Sequence, residues 1–253
     1  MCGRYATTVG PADLAAELDA LDETDPTETL LDVEAGPNYN VAPTTKVLAV
    51  VDRHDRDHPD DPASRRIRRM RWGLIPHWTK ESSPGVPERG KPLFNARAEA
   101  AATTAAFRDS FTSRRCLVPM DGWFEWTVSN SGTKTPHYMH RADGGRLYAA
   151  GLWSVWRGGA GTKPVLSCTI LTTDAVDRLT AVHNRMPLLL AESEWAAWLD
   201  PDHRPEKRLV AGIDPELVAQ IEIRDVSPAV NSVKNNSPDL LLPADDAGHD
   251  TLF

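Results

Sequence analysis

The sequence is poor in the features that staple, anchor or repeat a fold. Its 253 residues include three cysteines, Cys2, Cys116 and Cys168, an odd number at spacings that suit neither a zinc knuckle nor a disulfide framework. A reducing interior is therefore the expected compartment. No apolar run approaches the roughly 18 residues that cross a bilayer. The opening MCGRYATTVG has no apolar stretch of the kind that marks a secretory signal, so the expectation is a cytoplasmic protein with no membrane partner. No stretch recurs at the roughly 20–50-residue period of solenoids. With 41% hydrophobic residues, a chain of this length buries a sizeable core without covalent or metal staples. Neither a metal nor a cofactor is expected.

Basic residues are also in deficit: 28 Lys and Arg stand against 36 Asp and Glu, a formal charge of -8. Taken whole, that balance argues against a nucleic-acid partner, but a net charge says nothing about distribution. Residues 11–34 hold nine acids and no base, residues 52–61 five acids and two Arg, and residues 200–253 eleven acids and five bases. These segments carry -18 together, leaving +10 on the remainder. The acid is expected in peripheral stretches and the basic remainder around a narrow groove.

Local patterns predict the elements. Residues 11–20, with Leu14 and Leu18 four apart after Pro11, read as a short amphipathic helix. Strands are expected at 46–51 and 66–75, separated by a polar acidic loop, and a second loop at 79–92 leads to Phe94 and Asn95. The Ala-rich stretch 96–108 is the strongest helix candidate by propensity. Strand-like runs at 115–118, 123–128, 136–141, 146–153 and 165–172, with Gly- or Ser-rich turns between them, suggest an antiparallel sheet. Helices are expected at 191–199 and 214–220, and the last dozen residues as a frayed tail.

Four residues invite chemistry, each with a plainer reading beside it. Removal of Met1 would leave Cys2 with a free α-amine and a thiol on adjacent carbons, both with appreciable reactive fractions near neutral pH. Such a group attacks acyl carbons or condenses with an aldehyde to an imine that the sulfur closes into a thiazolidine; a lone second-position cysteine is more often inconsequential. In GWFEW (122–126), strand alternation puts Glu125 on the face of Trp123, with Phe124 and Trp126 opposite. Desolvation there suits Glu125 to proton transfer, although a solvated strand glutamate fits as well. His183 precedes an apolar run beside Arg185 and, taken alone, reads better as a hydrogen-bonded core histidine. Asn95 and Arg97 in FNARAE are placed to orient a polar substrate or clamp a phosphate, or Asn95 is simply a helix cap. The segment RRIRRMRWGLIPHW (65–78) interleaves Arg with Trp72 and Trp78, the composition that single-stranded nucleic acid needs for phosphates and stacked bases. Alternation sends Arg65, Arg69 and Arg71 to one face and Arg66, Arg68 and Trp72 to the other, so not all meet one ligand. His54 and His58 lie in an Asp-rich loop and read as solvated polar surface rather than metal ligands.

The ordered set MCGRY, YNVAP (39–43), RWGLIPHW (71–78), NARAE (95–99), RRCLVPMDGWFEW (114–126), AGLW (150–153), TILTTDA (169–175) and HNRMP (183–187) resembles the SRAP family, the SOS-response-associated peptidase or abasic-site processing proteins. The resemblance implies a protein that binds abasic sites in single-stranded DNA, at or near junctions with duplex, and crosslinks to them. It implies Cys2 as nucleophile after autoproteolytic loss of Met1, Asn95 at the reacting centre, Glu125 as acid/base and His183 as active-site histidine. Arg4, Trp72 and Arg97 fall on positions associated with DNA contact or with shaping the kinked strand, and AP-lyase-type turnover accompanies the crosslink. Trp123 stands where the family more often has Phe, which keeps an aromatic wall.

The expected architecture is a single α+β domain over residues 1–235, a mostly antiparallel barrel-like sheet with flanking helices, followed by a tail at 236–253. Nothing demands more than a monomer. Two rivals remain: a class II glutamine amidotransferase-like N-terminal-nucleophile hydrolase, since MCG also opens those chains, and a non-covalent single-strand DNA-binding module that would not need Cys2.

Overall fold

Side chains alternate across a strand, and apolar residues at every second position build the framework. The computed structural model describes residues 2–25, 36–88, 90 and 92–244. In chain order its strands are β1 (Arg4–Thr7), β2 (Leu21–Asp22), β3 (Asn38–Val41), β4 (Lys46–Arg53), β5 (Ser64–Trp72), β6 (Glu81–Ser83), β7 (Val86–Pro87), β8 (Asn95–Arg97), β9 (Arg115–Met120), β10 (Gly122–Val128), β11 (Lys134–Arg141), β12 (Leu147–Trp156), β13 (Val165–Asp174), β14 (Arg185–Pro187) and β15 (Ile221–Asp225). Strands β15-β11-β10-β1-β3 form one antiparallel sheet. The larger sheet runs β14-β13-β12-β9-β4-β5-β2, with β8 attached to β13. Its β5 folds back onto β13 in parallel, Arg71 opposite Ser167 and Trp72 opposite Cys168, so β13, β12, β9, β4 and β5 close into a ring. Closure leaves those strands without an open edge, and the expected barrel-like, mostly antiparallel α+β architecture is the one observed.

The two faces of the ring bury different partners. Val47, Ala49 and Val51 of β4, Met70 and Trp72 of β5 and Val118 and Met120 of β9 pack with Tyr5 and Trp123 of the first sheet. Leu48, Val50, Ile67 and Leu117 point the other way, towards Leu14 of the helix Pro11–Glu17 and Trp195 and Trp198 of the helix Glu192–Leu199. Each large apolar side chain taken fully out of water contributes about 1.5–3 kcal/mol. Trp198 also donates its indole N–H to the Cys116 carbonyl at 2.9 Å. Cys2, Cys116 and Cys168 are all buried and free. Among the described residues no helix is long and apolar enough to cross a membrane.

Three local expectations are corrected. The strand expected at 66–75 ends at Trp72, because Gly73 takes φ +127° and donates its N–H to the Cys168 carbonyl at 2.8 Å; only glycine adopts that backbone readily. The Ala-rich stretch 96–108 is not one helix. Asn95–Arg97 pair in parallel with β13, Asn95 opposite Ile170 and Arg97 opposite Thr172, and helix occurs only at Ala98–Ala101 and Arg108–Ser113. Between them Thr103 and Thr104 turn their hydroxyls back to the Ala100 carbonyl, at 3.2 and 2.8 Å, so strand pairing and local side-chain bonds override alanine propensity. The tail expected from residue 236 is partly built into the fold. Leu240 is buried against Phe124 and Tyr138, Asn236 accepts the Tyr39 N–H at 2.8 Å, and Ala244 donates to the Asp225 carbonyl at 3.0 Å. Residues 245–253 lie outside the described residues.

Candidate active site

Antiparallel pairing of β1 with β10 sets Arg4 opposite Phe124 and Tyr5 opposite Trp123, which brings the start of the chain alongside Glu125. Gly122 at the head of β10 permits the close approach of β11 on its other side, because a Cβ there would fall on the Met139 carbonyl and the Tyr138 ring. Cys2 is fully buried in the cluster that holds Tyr5, Trp72, Trp123, Met139 and Met186. Asn95 reaches it from β8: its Nδ2 donates to the Cys2 carbonyl oxygen at 2.7 Å. Two bonds on the preceding residue hold that approach, the Trp72 indole N–H to the Phe94 carbonyl at 2.8 Å and the Ile170 N–H to the same oxygen at 3.0 Å.

His183 follows the 3-10 turn Asp177–Ala181. Its Nδ1 lies 2.9 Å from the Arg185 backbone nitrogen and 3.1 Å from the Arg185 carbonyl oxygen, which fixes the ring on the turn. Glu125 and His183 share a recess of about 180 Å³ with Trp123, Met139, Arg185 and Met186. Glu125 is only 5% exposed. Burial pushes its carboxyl above the ordinary 4.5, and the charge of His183 pulls against that rise. Burial also pushes the Cys2 thiol well above the ordinary cysteine range, and the Glu125 charge adds to the shift, so the thiol is neutral at physiological pH. Residues 2, 95, 125 and 183, widely separated in sequence, thus meet in one place. Met1 lies outside the described residues.

The remaining sequence candidates separate. Arg97 is exposed and stands two residues beyond Asn95 on the same side of β8, about 6.6 Å along the strand. Arg4 donates to Asn40 Oδ1 at 2.6 Å and to the Val230 carbonyl at 2.9 Å. Trp72 is corrected as a stacking platform: it is 0% exposed, packed edge-on against Tyr5 and Phe94, and offers no face to a base. Trp78 is exposed. The Arg-rich run is corrected as well. Glu23, from the acidic stretch expected at the periphery, bonds Arg53, Arg66 and Arg68 together, and Arg65 pairs with Asp52 at 3.1 Å. His54 bonds the Asp61 carbonyl and Asp202 at 2.8 and 3.0 Å. Among the described residues no group of three or more His, Cys, Asp or Glu is arranged to hold a metal ion.

Some structural partners of the site escaped the sequence reading. The Arg185 guanidinium spans Glu99, at 3.0 and 2.9 Å, Asp174 at 2.7 Å and the Thr172 carbonyl at 2.5 Å, locking HNRMP onto NARAE. The one signal that could have pointed to it is the opposite charge of Arg185 in one motif and Glu99 in the other. Asn40 of YNVAP donates its amide to the carbonyls of Val230, Ser232 and Asn235, at 3.2, 2.9 and 3.0 Å, and nothing in the sequence foretells a contact across that separation. His137, opposite Glu125 in the β10–β11 register, is held between Asp225 at 2.7 Å and the Thr127 hydroxyl at 2.8 Å.

The family model described as SOS response associated peptidase (SRAP) matches residues 1–233. The chain is 34% identical to the abasic site processing protein YoaM of Bacillus subtilis, over 95% of this chain and 97% of that one. It is 31% identical to YedK of Escherichia coli, over 96% and 100%, and 30% identical to HMCES of Gallus gallus, over 96% and 78%, both likewise named abasic site processing proteins. A crystal structure of a Bacteroides thetaiotaomicron protein superposes with a TM-score of 0.74 at 21% identity, covering 96% of this chain and all of that one. A phage-related protein of Bordetella bronchiseptica does so with a TM-score of 0.61 at 28% identity, covering 89% and 94%. With a family match over nearly its whole length and relatives at this identity, the chain belongs to the SOS response associated peptidase (SRAP) family.

Proposed function

We propose that this protein processes abasic sites in DNA by bonding covalently, through Cys2, to the ring-opened sugar in single-stranded DNA. The observation that carries the reading is the hold of Asn95 on the Cys2 carbonyl beside a recess that Glu125 and His183 line together. Relatives named abasic site processing proteins support the substrate.

After Met1 is lost, the Cys2 α-amine adds to the aldehyde carbon. The carbinolamine then loses water to give the imine, which needs a group that protonates the departing hydroxyl and takes back the proton left on nitrogen. Glu125 fits that role, because burial raises its affinity for a proton. The Cys2 sulfur next adds to the imine carbon while its proton passes to the nitrogen, which closes the thiazolidine with no net change of charge. A neutral thiol suits that step. Asn95 fixes the backbone from which both nucleophiles project, and such alignment is worth orders of magnitude in rate. His183 serves as a proton donor on the far side of the recess, and Arg4 and Arg97 contact the strand on either side of the lesion. The product removes the aldehyde that otherwise β-eliminates and breaks the strand.

The test is a denaturing gel. Protein whose Met1 removal has been checked by intact mass is incubated with a single-stranded oligonucleotide carrying one abasic site. A heat-stable, slower-migrating species is expected, absent with undamaged DNA and absent for Cys2→Ala. Equal yield from undamaged DNA, or an adduct that survives Cys2→Ala, overturns the reading.

A further inference from the structure

The Arg-rich run of β5 divides into two halves. Arg65, Arg66 and Arg68 each bond a carboxylate, from Asp52, Glu23 or Asp55. Arg69 and Arg71 have no carboxylate partner among the described residues; Arg71 donates to the Gly73 carbonyl at 2.7 Å. Register sets Lys46 opposite Arg71 and Leu48 opposite Arg69, so alternation places Lys46, Arg69 and Arg71 on one face.

At the margin of that face, where the ends of β1 and β3 come close, lies a recess of about 350 Å³, lined by Thr7, Asn38, Lys46 and Arg69 among others. Thr7 and Asn38 reach it from the paired strands β1 and β3. Two of the lining residues carry an unbonded polar atom: the Thr7 hydroxyl oxygen and the Arg69 Nε are both buried and make no hydrogen bond. Each such atom costs about 1–3 kcal/mol when left unbonded. A hydroxyl and a guanidinium edge sharing one recess with a second cation call for an anion that accepts several hydrogen bonds at once, which is what a tetrahedral phosphate does.

We propose that this recess is a phosphate-binding site in which Arg69 and Thr7 bond the oxyanion and Lys46 adds charge. Thr7 lies five residues along β1 from Cys2, roughly 17 Å at strand rise, a few nucleotides from the reacting centre. The occupant is therefore a backbone phosphate of the strand that carries the lesion. Naming the strand as source rests on the function proposed above; the anion site itself does not.

Two readouts separate those layers. The first is anisotropy of a fluorescent single-stranded oligonucleotide without an abasic site, titrated over a range of NaCl concentrations. Arg69→Gln is expected to flatten the slope of log affinity against log salt by about 0.7, the value of one lost contact to a single strand. Thr7→Val is expected to weaken binding severalfold without changing the slope, since it removes a neutral donor. Arg141→Gln, at a cation paired with exposed Asp143, is the control and changes neither. The second readout is the rise in melting temperature on adding inorganic phosphate, expected for the wild type and lost in Arg69→Gln. A phosphate effect without a change of slope supports the anion site and assigns it to free phosphate instead of the strand. Wild-type slope together with wild-type phosphate protection in Arg69→Gln overturns the site. The lesion chemistry is read apart, from the heat-stable adduct of Cys2, so its failure leaves both of these measurements standing.

Discussion

Glu125 sits where a carboxylate is poorly solvated, and its proton affinity has consequences for stability as well as chemistry. Its carboxyl is raised above 4.5 by burial in the folded chain, so the native state binds the proton more tightly than the unfolded state does. The stabilisation from that proton is complete below 4.5 and is lost as pH rises through the folded value. Glu125→Gln keeps a neutral group at every pH. The difference in melting temperature between wild type and Glu125→Gln is therefore expected to move in favour of the variant as pH climbs from about 4.5 towards 7, and differential scanning calorimetry at stepped pH checks it. A difference that stays flat removes the raised carboxyl from the argument. Strand alternation in GWFEW was enough to pair Glu125 with Trp123 on one face. Trp72 shows the opposite case: its interleaving with arginine looked like a stacking surface, and ring closure at β5 and β13 buried it.

At the scale of elements, the short strands β8 and β14 matter more than their length suggests. β8 presents Asn95, β14 follows His183, and both hang on β13. Arg185 ties them together through Glu99, Asp174 and the Thr172 carbonyl. Arg185→Met keeps the side-chain volume and breaks all of these bonds. It is expected to lower stability by about 2–3 kcal/mol, since charge-assisted bonds to a largely buried group are lost. Urea unfolding should show a lower midpoint with an unchanged slope, and Arg185→Lys should recover little, because a point charge does not span the fork. Helix propensity misled the reading of 96–108 for a related reason. Alanine favours helix in isolation, but the residues at 95–97 gain ladder bonds by pairing with β13, which sets Asn95 beside Cys2.

Charge acts on the whole molecule. The sequence suggested acid at the periphery and a basic remainder, and the described residues instead neutralise much of the basic run from within. Glu23 holds Arg53, Arg66 and Arg68 at once. Burial pushes its carboxyl up, and the bonds from Arg66 and Arg53 with the charge of Arg68 outweigh that rise, so Glu23 titrates below 4.5. Its stabilisation is present above 4.5 and is lost as pH falls through the lower folded value. Glu23→Gln is expected to cost about 2 kcal/mol at pH 7, to lose less as pH drops below 4, and to bind undamaged single strands more tightly as three cations lose their counter-charge. Chemical denaturation at pH 7 and pH 3 and salt-dependent anisotropy check the two halves. Equal destabilisation at both pH values would remove Glu23 from this role.

Composition, alternation and ordered motifs by themselves determined the strand-rich α+β class, the face on which Glu125 lies and the choice of Cys2, Asn95, Glu125 and His183 as candidates. Those are consequences of local rules: period-two patterning holds along a strand whatever it packs against, and a motif carries its residue types with it. Only the tertiary structure decided that Trp72 is core, that residues 95–97 are strand, that Arg185 bolts two motifs together and that Glu23 bonds two arginines of the run. Each of these depends on segments far apart in the chain meeting across a closed sheet. The free energy of such a meeting, through burial and ion pairing, outweighs the local preference that the sequence displays.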